Sequence, residues 1–379
     1  MNFLRNSHSK MRKGVVIFAS SLLFIATIEF CARIDDRIRY QAPFFENYSS
    51  ALIRTKDPEG INCNVPNSQF EKWKINRFGF REEDLTPIKP RGVVRIICMG
   101  TSETFGLYES PGQEWPNQLK NMLKEDNHFQ VINTSVVGLP LKKYHRYIEK
   151  YVLKLTPDII ILFINPFDYA VGTEKFAKRQ NIFQKEIKEG SRRKIFDFKN
   201  VISNIRILPK LKQVLKKVIP EQLLRKYQIW NLKRQLHDLE RRRLDGSKPI
   251  NAISIESLEG FRNDLEELIQ FLRHQKIEVI LGSYPVMISP ENLDKHLEIF
   301  LDHRRFYVEL SLLGIIDASV KLNEVIKSVA NEYLIGFIDN NAAISKNTEN
   351  FADNVHYTDE GARLVAFNFA KYIKNRWAD

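Results

Sequence analysis

The sequence predicts an α/β protein of three layers, with helices on both faces of a five-stranded parallel sheet. From residue 93 onward, short apolar runs alternate with segments in which apolar residues recur at helical spacing. The runs are apolar throughout, which is typical of strands buried on both faces of a parallel sheet. Because right-handed crossovers join such strands, the connecting helices are expected on both sides of the sheet.

Each element follows from its own pattern. The run at residues 93–99 is rich in β-branched side chains and ends at a glycine, and residues 159–164 have the strongest strand pattern in the chain. The predicted strands are residues 93–99, 129–134, 159–164, 278–284 and 333–338. The predicted helices are residues 113–125, 141–155, 255–275, 307–332 and 360–373.

The N-terminus has the pattern of a membrane anchor. Residues 1–13 are a basic leader, and residues 14–33 are mostly apolar. As a helix, this apolar segment is just long enough to cross a hydrocarbon layer of about 30 Å if Glu29 and Arg33 reach the far interface. The basic flank comes first, so the leader is expected in the cytoplasm and everything after about residue 34 outside. A cleaved signal peptide is the alternative, and either reading exports the bulk of the chain.

Two further segments precede or interrupt the predicted sheet. Residues 34–90 contain five prolines among scattered polar residues and predict an extended arm, which leaves residues 91–379 as the main domain. Within that domain, residues 171–250 break the strand and helix alternation and predict a helical insertion.

The insertion carries the basic charge of the protein. It holds 22 Lys and Arg against 8 Asp and Glu, a local charge of +14, so the rest of the chain contributes −2 to the total of +12. Three interpretations stay open: a solvated pair of charged helices, a surface against anionic lipid headgroups, or a docking site for an anionic glycan or partner. Nucleic-acid binding is not expected of an exported domain.

Ser102 is the first candidate for chemistry. It follows the first predicted strand of the sheet by three residues and lies between Gly100 and Gly106. At the carboxyl end of a parallel strand, its hydroxyl and its own backbone N–H can both face a cleft. A serine in this position is also a common helix cap, so the residue alone decides little.

Asp353 and His356 supply what such a serine needs. A serine hydroxyl becomes a nucleophile when a neutral imidazole takes its proton, and a carboxylate must hold that imidazole in the right tautomer. The two residues are three apart on a predicted loop just before the last helix, so they can lie side by side. The sequence therefore predicts a triad of Ser102, His356 and Asp353.

An acyl-transfer site also needs donors for the oxyanion. Besides the backbone N–H of Ser102, two candidates follow neighbouring strands. Gly138 can present a backbone N–H with no side chain in the way, and Asn165 can offer its amide. A metal site is not predicted, because the histidines and cysteines lack ligand spacing, and no nucleotide-binding loop is present, so no cofactor is expected.

These motifs resemble those of SGNH (GDSL-like) hydrolases, in particular membrane-tethered bacterial members. NRFGFR at residues 76–81 is similar to the arm that precedes their domain, and GTSETFG at 100–106 to their nucleophile block. NTSVVG at 133–138 is similar to their glycine block, and DNVHYTDEG at 353–361 to their final block. The resemblance implies a flavodoxin-like fold and the roles given above to Ser102, Gly138, Asp353 and His356.

The sequence departs from the family pattern at two places. Thr101 stands where many members have Asp. In an ungapped alignment from residues 157–158, Asn165 falls on a family glycine, and Phe167 falls on the asparagine that completes the oxyanion hole, followed by Asp168. For Asn165 to serve as the third donor, the loop must take a different path.

The resemblance and the predicted export together imply a function. They point to a serine esterase of a bacterial inner membrane, with one membrane span and an external domain, which removes O-acyl groups, mostly O-acetyl, from an envelope or exported polysaccharide. A polysaccharide O-acyltransferase that uses the same acyl-enzyme is an alternative, as is a phospholipase or thioesterase. The altered asparagine block suggests another, a non-catalytic domain that binds glycan or a partner. The sequence predicts no oligomeric state.

Overall fold

The computed structural model describes residues 2–46, 48–83, 85–124, 128–171, 205–208, 210–211, 219–244 and 246–377. Internal contacts divide the chain into two units. One comprises Met1–Ser50 with Lys185–Leu224, and the other comprises Ala51–Gln184 with Arg225–Asp379. Residues 172–204 of the predicted insertion lie outside the described residues.

The larger unit is built on a five-stranded sheet in which every pairing is parallel. Its strands are β5 (Val94–Gly100), β6 (Phe129–Asn133), β7 (Ile159–Phe163), β8 (Glu278–Gly282) and β9 (Gly336–Ile338), after four short strands of the arm. Their order across the sheet is β6-β5-β7-β8-β9. With the first sheet strand in second position, this is the flavodoxin-like order, as predicted.

Helices cover both faces of this sheet, which confirms the three-layer prediction. In chain order the helices of the described residues are α1 (Asn2–Tyr40), α2 (Ser102–Phe105), α3 (Trp115–Met122), α4 (Tyr144–Tyr147), α5 (Phe167–Ala170), α6 (Glu221–Arg243), α7 (Ile255–His274), α8 (Leu297–Arg304), α9 (Leu312–Glu332), α10 (Asn340–Ala343) and α11 (Asp359–Trp377). One layer contains α3 and α11, and the other contains α4, α7 and α9. Strands β5 and β7 are almost wholly buried between the layers.

Side-chain caps and turns explain where elements differ from prediction. Helix α9 begins at Leu312 and not at residue 307, because the Ser311 hydroxyl accepts a hydrogen bond from the N–H of Gly314 and caps the helix there. Strand β9 begins at Gly336 and not at residue 333, because Leu334 has a left-handed φ of 52° in the turn before it. Residues 141–155 are helical but irregular. They form a 3-10 turn, then α4, then the π-helical turn Ile148–Val152, and finally a second 3-10 turn.

The predicted extended arm contains two small antiparallel hairpins. Their strands are β1 (Arg54–Lys56) with β2 (Asn62–Asn64), and β3 (Gln69–Phe70) with β4 (Trp73–Lys74). The first part of the predicted arm is different, because α1 continues through residues 34–40 as a helix. The arm therefore starts after Tyr40, and its hairpins pack in the larger unit.

The smaller unit contains α1, which is long and apolar enough over Val15–Tyr40 to cross a membrane, or to be a signal sequence. Glu29 is not isolated within that helix. Its carboxylate accepts hydrogen bonds from Arg33 at 2.7 Å and from the backbone N–H of Arg206 at 3.2 Å. Lys210 pairs with Asp35 at 2.6 Å. Part of the insertion is thus held to the C-terminal half of α1 by charge.

Helix α6 (Glu221–Arg243) lies within the helical insertion predicted over residues 171–250. One face packs Leu232 and Leu236 against apolar side chains of α8 and the loop that follows it. The opposite face exposes Tyr227 and Trp230, and Arg234 lies 5.5 Å from the centre of the Trp230 ring. This face combines aromatic and basic side chains, which are common where helices rest on membrane surfaces.

Candidate active site

Ser102 lies at the carboxyl end of β5, where the chain turns directly into α2. The turn is tight at both ends. A side chain at Gly100 would come within 2.7 Å of the carbonyl oxygen of Phe163 on the neighbouring strand. Gly106 ends α2 with a left-handed φ of 79°, a conformation that L side chains rarely adopt. These two glycines allow Ser102 to be half-buried at the edge of the sheet.

The arm clamps the far end of this turn. The buried guanidinium of Arg81 donates hydrogen bonds to the carbonyl oxygens of Phe105 and Gly106, and it pairs with Glu114 at 3.2 Å. The indole N–H of Trp73 also donates to the Gly106 carbonyl, at 3.0 Å. The carbonyl end of α2 is therefore fixed by donors from the segment that precedes the domain.

The structure brings Ser102 and His356 into direct contact. The Nε2 atom of His356 lies 2.8 Å from the Oγ atom of Ser102, and the Nδ1 atom lies 2.7 Å from the Oδ2 atom of Asp353. With Nδ1 donating to the carboxylate, Nε2 is left as an acceptor for the serine proton. The three side chains form a continuous hydrogen-bonded chain.

Asp353 is oriented by its own turn. Its Oδ1 atom accepts the backbone N–H groups of Val355 and His356, both at 2.9 Å, which leaves Oδ2 for the imidazole. Between them, Asn354 is buried and fastens the turn to the loop after β8. Its side-chain oxygen accepts the N–H of Ile288 at 2.9 Å, and its carbonyl accepts the N–H of Met287 at 2.8 Å. The spacing of Asp353 and His356 thus matches a locally closed turn.

The electrostatics suit proton transfer. Burial works to raise the pKa of Asp353, but the hydrogen bonds from His356 and the backbone outweigh it and lower the pKa to about 2. Burial works to lower the pKa of His356, but the Asp353 carboxylate, with smaller contributions from Glu103 and Glu109, raises it above the usual value. Asp353 is therefore ionised at neutral pH, and His356 is a stronger base than free imidazole.

Tyr108 covers this pair from the solvent side. Its ring centre lies 5.2 Å from that of His356, and about half of the side chain is exposed. Burial and the neighbouring Asp353, to which the phenol hydrogen-bonds, raise the pKa of Tyr108 to about 12. The phenol therefore stays protonated and can donate to Asp353. None of the sequence motifs includes Tyr108, although it lies in the loop just after the nucleophile block.

Gly138 lies in a loop that the arm also holds. The N–H of Val136 donates to the Gly100 carbonyl at 3.3 Å, which sets the loop beside the end of β5. The amide of Asn62 donates to the Gly138 carbonyl at 2.6 Å, and the amide of Asn64 donates to the Ser135 carbonyl at 3.2 Å. Gly138 has a left-handed φ of 71°. Its carbonyl oxygen is bound by Asn62 of the arm, while its backbone N–H is the oxyanion donor predicted from the sequence.

Asn165 makes other contacts. Its side-chain oxygen accepts the N–H of Phe167 at 3.0 Å, and its side chain also hydrogen-bonds to the Tyr307 phenol. Phe167 is fully buried, with ring centres 5.6 Å from Tyr307 and 6.2 Å from Tyr284. Where the family pattern has a polar donor, this chain has an aromatic side chain packed in the core.

Two buried carboxylates beside the nucleophile were also missed. Glu103 is fully buried directly after Ser102, and its pKa is raised by burial against the opposing hydrogen bonds of Thr101. Glu109 is buried near Arg81, and burial raises its pKa to about 7. The acidic residue within the nucleophile block, Glu103, was the available signal, since such groups are seldom buried without a partner.

No protein-family model and no curated protein matches the chain. Solved structures do match over most of its length. A GDSL-like lipase from Bacteroides thetaiotaomicron is 13% identical, with 77% of this chain and 93% of that one covered and a TM-score of 0.40. A lipase/acylhydrolase from Enterococcus faecalis is 15% identical, with 75% and 97% covered and a TM-score of 0.41. An acetylxylan esterase from Geobacillus stearothermophilus, solved as a catalytic mutant, is 14% identical, with 76% and 96% covered and a TM-score of 0.40.

The first of these is by name a GDSL-like lipase, the class that the sequence motifs resemble. Similarity at this level assigns neither an activity nor a substrate to this chain.

Proposed function

We propose that this protein is a membrane-anchored serine esterase that removes O-acyl groups, chiefly O-acetyl, from an envelope or exported polysaccharide. The observation that supports it most directly is the hydrogen-bonded chain from Ser102 through His356 to Asp353. That geometry supports a hydrolytic chemistry. The carbohydrate substrate and the position of the domain outside a bacterial inner membrane follow from the sequence resemblance and from the apolar helix behind a basic leader.

In the proposed reaction, His356 takes the proton of Ser102 as the serine oxygen bonds to the ester carbonyl carbon. The tetrahedral oxyanion is held by the backbone N–H groups of Ser102 and Gly138. The side chain of Asn165, which the sequence predicts as a third donor, is bound to Phe167 and Tyr307 instead. The imidazolium then protonates the leaving sugar oxygen, and an acyl-Ser102 ester remains. A water molecule, deprotonated by His356, attacks this ester and releases the carboxylic acid and free Ser102.

A non-catalytic glycan-binding protein is the second candidate, and the buried Phe167 favours it. Loss of one oxyanion donor typically lowers a rate by about 100- to 1000-fold. A site that lacks that donor would retain the nucleophile geometry while losing useful turnover. This candidate predicts that the protein binds polysaccharide and that Ser102 does not react with a fluorophosphonate probe.

The test uses the full chain purified in detergent. Wild-type protein should release acetate from p-nitrophenyl acetate and be labelled by a fluorophosphonate at Ser102, while Ser102→Ala and His356→Ala should each lose the activity. Ser247→Ala and His274→Ala, which change exposed residues, serve as matched controls and should behave like wild type. Equal rates in all five proteins, or an unlabelled Ser102, would exclude the esterase.

The basic surface is part of the same proposal. The aromatic and basic face of α6 is suited to rest on anionic headgroups, with Tyr227 and Trp230 at the interface. This contact would hold the esterase domain close to a membrane surface.

A further inference from the structure

Glu103 is a carboxylate in contact with the candidate nucleophile. Its Oε2 atom lies 3.4 Å from the Oγ atom of Ser102. The same Oγ atom makes a separate contact with the Nε2 atom of His356. The side chain is fully buried. A carboxylate next to a nucleophilic oxygen would be unfavourable if it did nothing else, because it repels the negative charge that the attack produces.

The groups that contact this carboxylate are all able to donate a hydrogen. The N–H of Thr101 donates to Oε1 at 2.9 Å, and the Thr101 hydroxyl donates to Oε2 at 2.6 Å. The phenol of Tyr284 contacts Oε2 at 3.5 Å. Donors stabilise an ionised carboxylate, so these hydrogen bonds oppose the rise in the pKa of Glu103 that burial causes.

Glu103 also fixes the turn that carries the nucleophile. Thr101 occupies the N-cap position of α2, yet its own side chain makes no capping hydrogen bond. Its N–H and its hydroxyl are both bound by Glu103 instead. Because Thr101 precedes Ser102 directly, these two bonds determine the direction in which the serine side chain leaves the backbone.

Several titratable groups surround the pair of Glu103 and His356. The charge of Glu103 acts on Asp168 in α5 and on the phenols of Tyr144, Tyr284, Tyr307 and Tyr357, which belong to separate elements. Asp353, Glu109, Tyr108 and His303 face His356. Among the groups that act on the imidazole, Glu103 is the carboxylate that also contacts Ser102.

We propose that Glu103 is a second carboxylate of the catalytic machinery, a positioning residue that holds the Ser102 turn and stabilises the His356 imidazolium from the serine side. This inference rests on the proposed esterase function. Asp353 binds the imidazole at Nδ1, whereas Glu103 acts from beyond Nε2. When the proton moves from Ser102 to His356, the positive charge forms between two carboxylates and not beside one.

This arrangement compensates for the altered oxyanion side. The proton transfer creates a cation on His356 and an anion on the substrate, and both contribute to the transition state. With Phe167 in place of a polar donor, the anion has fewer hydrogen bonds. A second carboxylate shifts part of the stabilisation to the cation. The electrostatic repulsion between Glu103 and the oxyanion is the opposing effect, and Ser102 lies between them.

The pH profile of Ser102 acylation tests the charge directly. The reaction needs neutral imidazole, so the rate falls as the pH falls through the pKa of His356, and this acid limb should lie above pH 6.5 in wild type. In full-length Glu103→Gln, the limb should move to lower pH by about 0.5–1 unit, since a nearby negative charge that raised the pKa is gone. The plateau rate should fall about 3- to 10-fold because the base is weaker.

A control and two further variants of the same contacts separate charge from geometry. Glu332→Gln, a surface change of the same kind, should keep the wild-type profile. Glu103→Asp keeps the charge on a shorter side chain, so the acid limb should stay near the wild-type pH while the plateau falls. If Glu103→Gln does not fold, Thr101→Ala removes one donor to the same carboxylate and should move the limb in the same direction.

Failure of this inference differs from failure of the esterase proposal. If wild-type Ser102 is labelled and turns over ester but Glu103→Gln keeps the wild-type acid limb, Glu103 has no electrostatic effect on His356 and the inference is wrong. An unlabelled wild-type Ser102 would instead overturn the esterase proposal itself.

Discussion

Two loops at the carboxyl edge of the same sheet differ in how closely they follow the pattern of an acyl-transfer site. The turn that holds Asp353 and His356 is polar, is closed by its own hydrogen bonds, and contacts Ser102 at 2.8 Å. The loop after β7 offers Asn165 and Phe167, and these are engaged with Tyr307 and the aromatic core. The first loop has the general base in position, and the second has a core side chain where a donor was expected.

The difference follows from the range of the interactions. The orientation of Asp353 depends on two backbone N–H groups within three residues, so a short motif specifies it. The direction of Asn165 depends on the nearby N–H of Phe167 and also on Tyr307, far along the chain in the segment after α8. A motif is thus a good guide to a locally closed turn, and a poor guide to a side chain placed by tertiary packing.

The largest effect is expected from Asp353→Asn, which tests the well-formed loop. An amide cannot hold His356 in the tautomer that accepts a proton, nor stabilise its charged form, so kcat/KM should fall by roughly 10³–10⁴-fold. Steady-state hydrolysis of p-nitrophenyl acetate measures this. Asp238→Asn on α6 is the matched control and should retain wild-type rates. Less than about a tenfold loss would mean that the bond at Nδ1 is not used.

Phe167→Ala tests the other loop by its contribution to stability. Removal of a fully buried phenylalanine that packs against Tyr284 and Tyr307 should lower the free energy of unfolding by about 3–5 kcal/mol. Chemical denaturation with a fluorescence readout measures the change. Phe367→Ala, at a half-exposed position in α11, should lower it far less. If the two variants are equally stable, Phe167 is not a core residue.

Asn165→Ala should have the smallest effect. Because its side chain is bound to Phe167 and Tyr307, we expect kcat to fall less than about tenfold, whereas an oxyanion donor would cost about 100- to 1000-fold. Single-turnover acylation of Ser102 is the appropriate measurement, since it is independent of later steps. A loss of 100-fold or more would show that Asn165 leaves Tyr307 to bind the oxyanion, and the contrast between the loops would disappear.

Most of the fold could be predicted from sequence, because strands buried on both faces leave continuous apolar runs such as residues 159–164. Boundaries were less predictable where one side chain decides them. Ser311 moves the start of α9, and Leu334 shortens β9. In the site, Ser102, His356 and Asp353 came from the motif and its order. Glu103 and Tyr108 were not predicted, because their importance depends on burial and on contacts with residues distant in sequence.

The distance in sequence between Ser102 and His356 has a consequence for biogenesis. The two residues are 254 positions apart, so a very long loop must close before they meet, and contacts of this range form slowly. The bonds from the arm to Gly106 and Gly138 span far less chain and can form while synthesis continues. A chain that folds as it is made therefore positions Ser102 before its base is available. Under the proposed function, Ser102 becomes reactive only when His356 has docked against it.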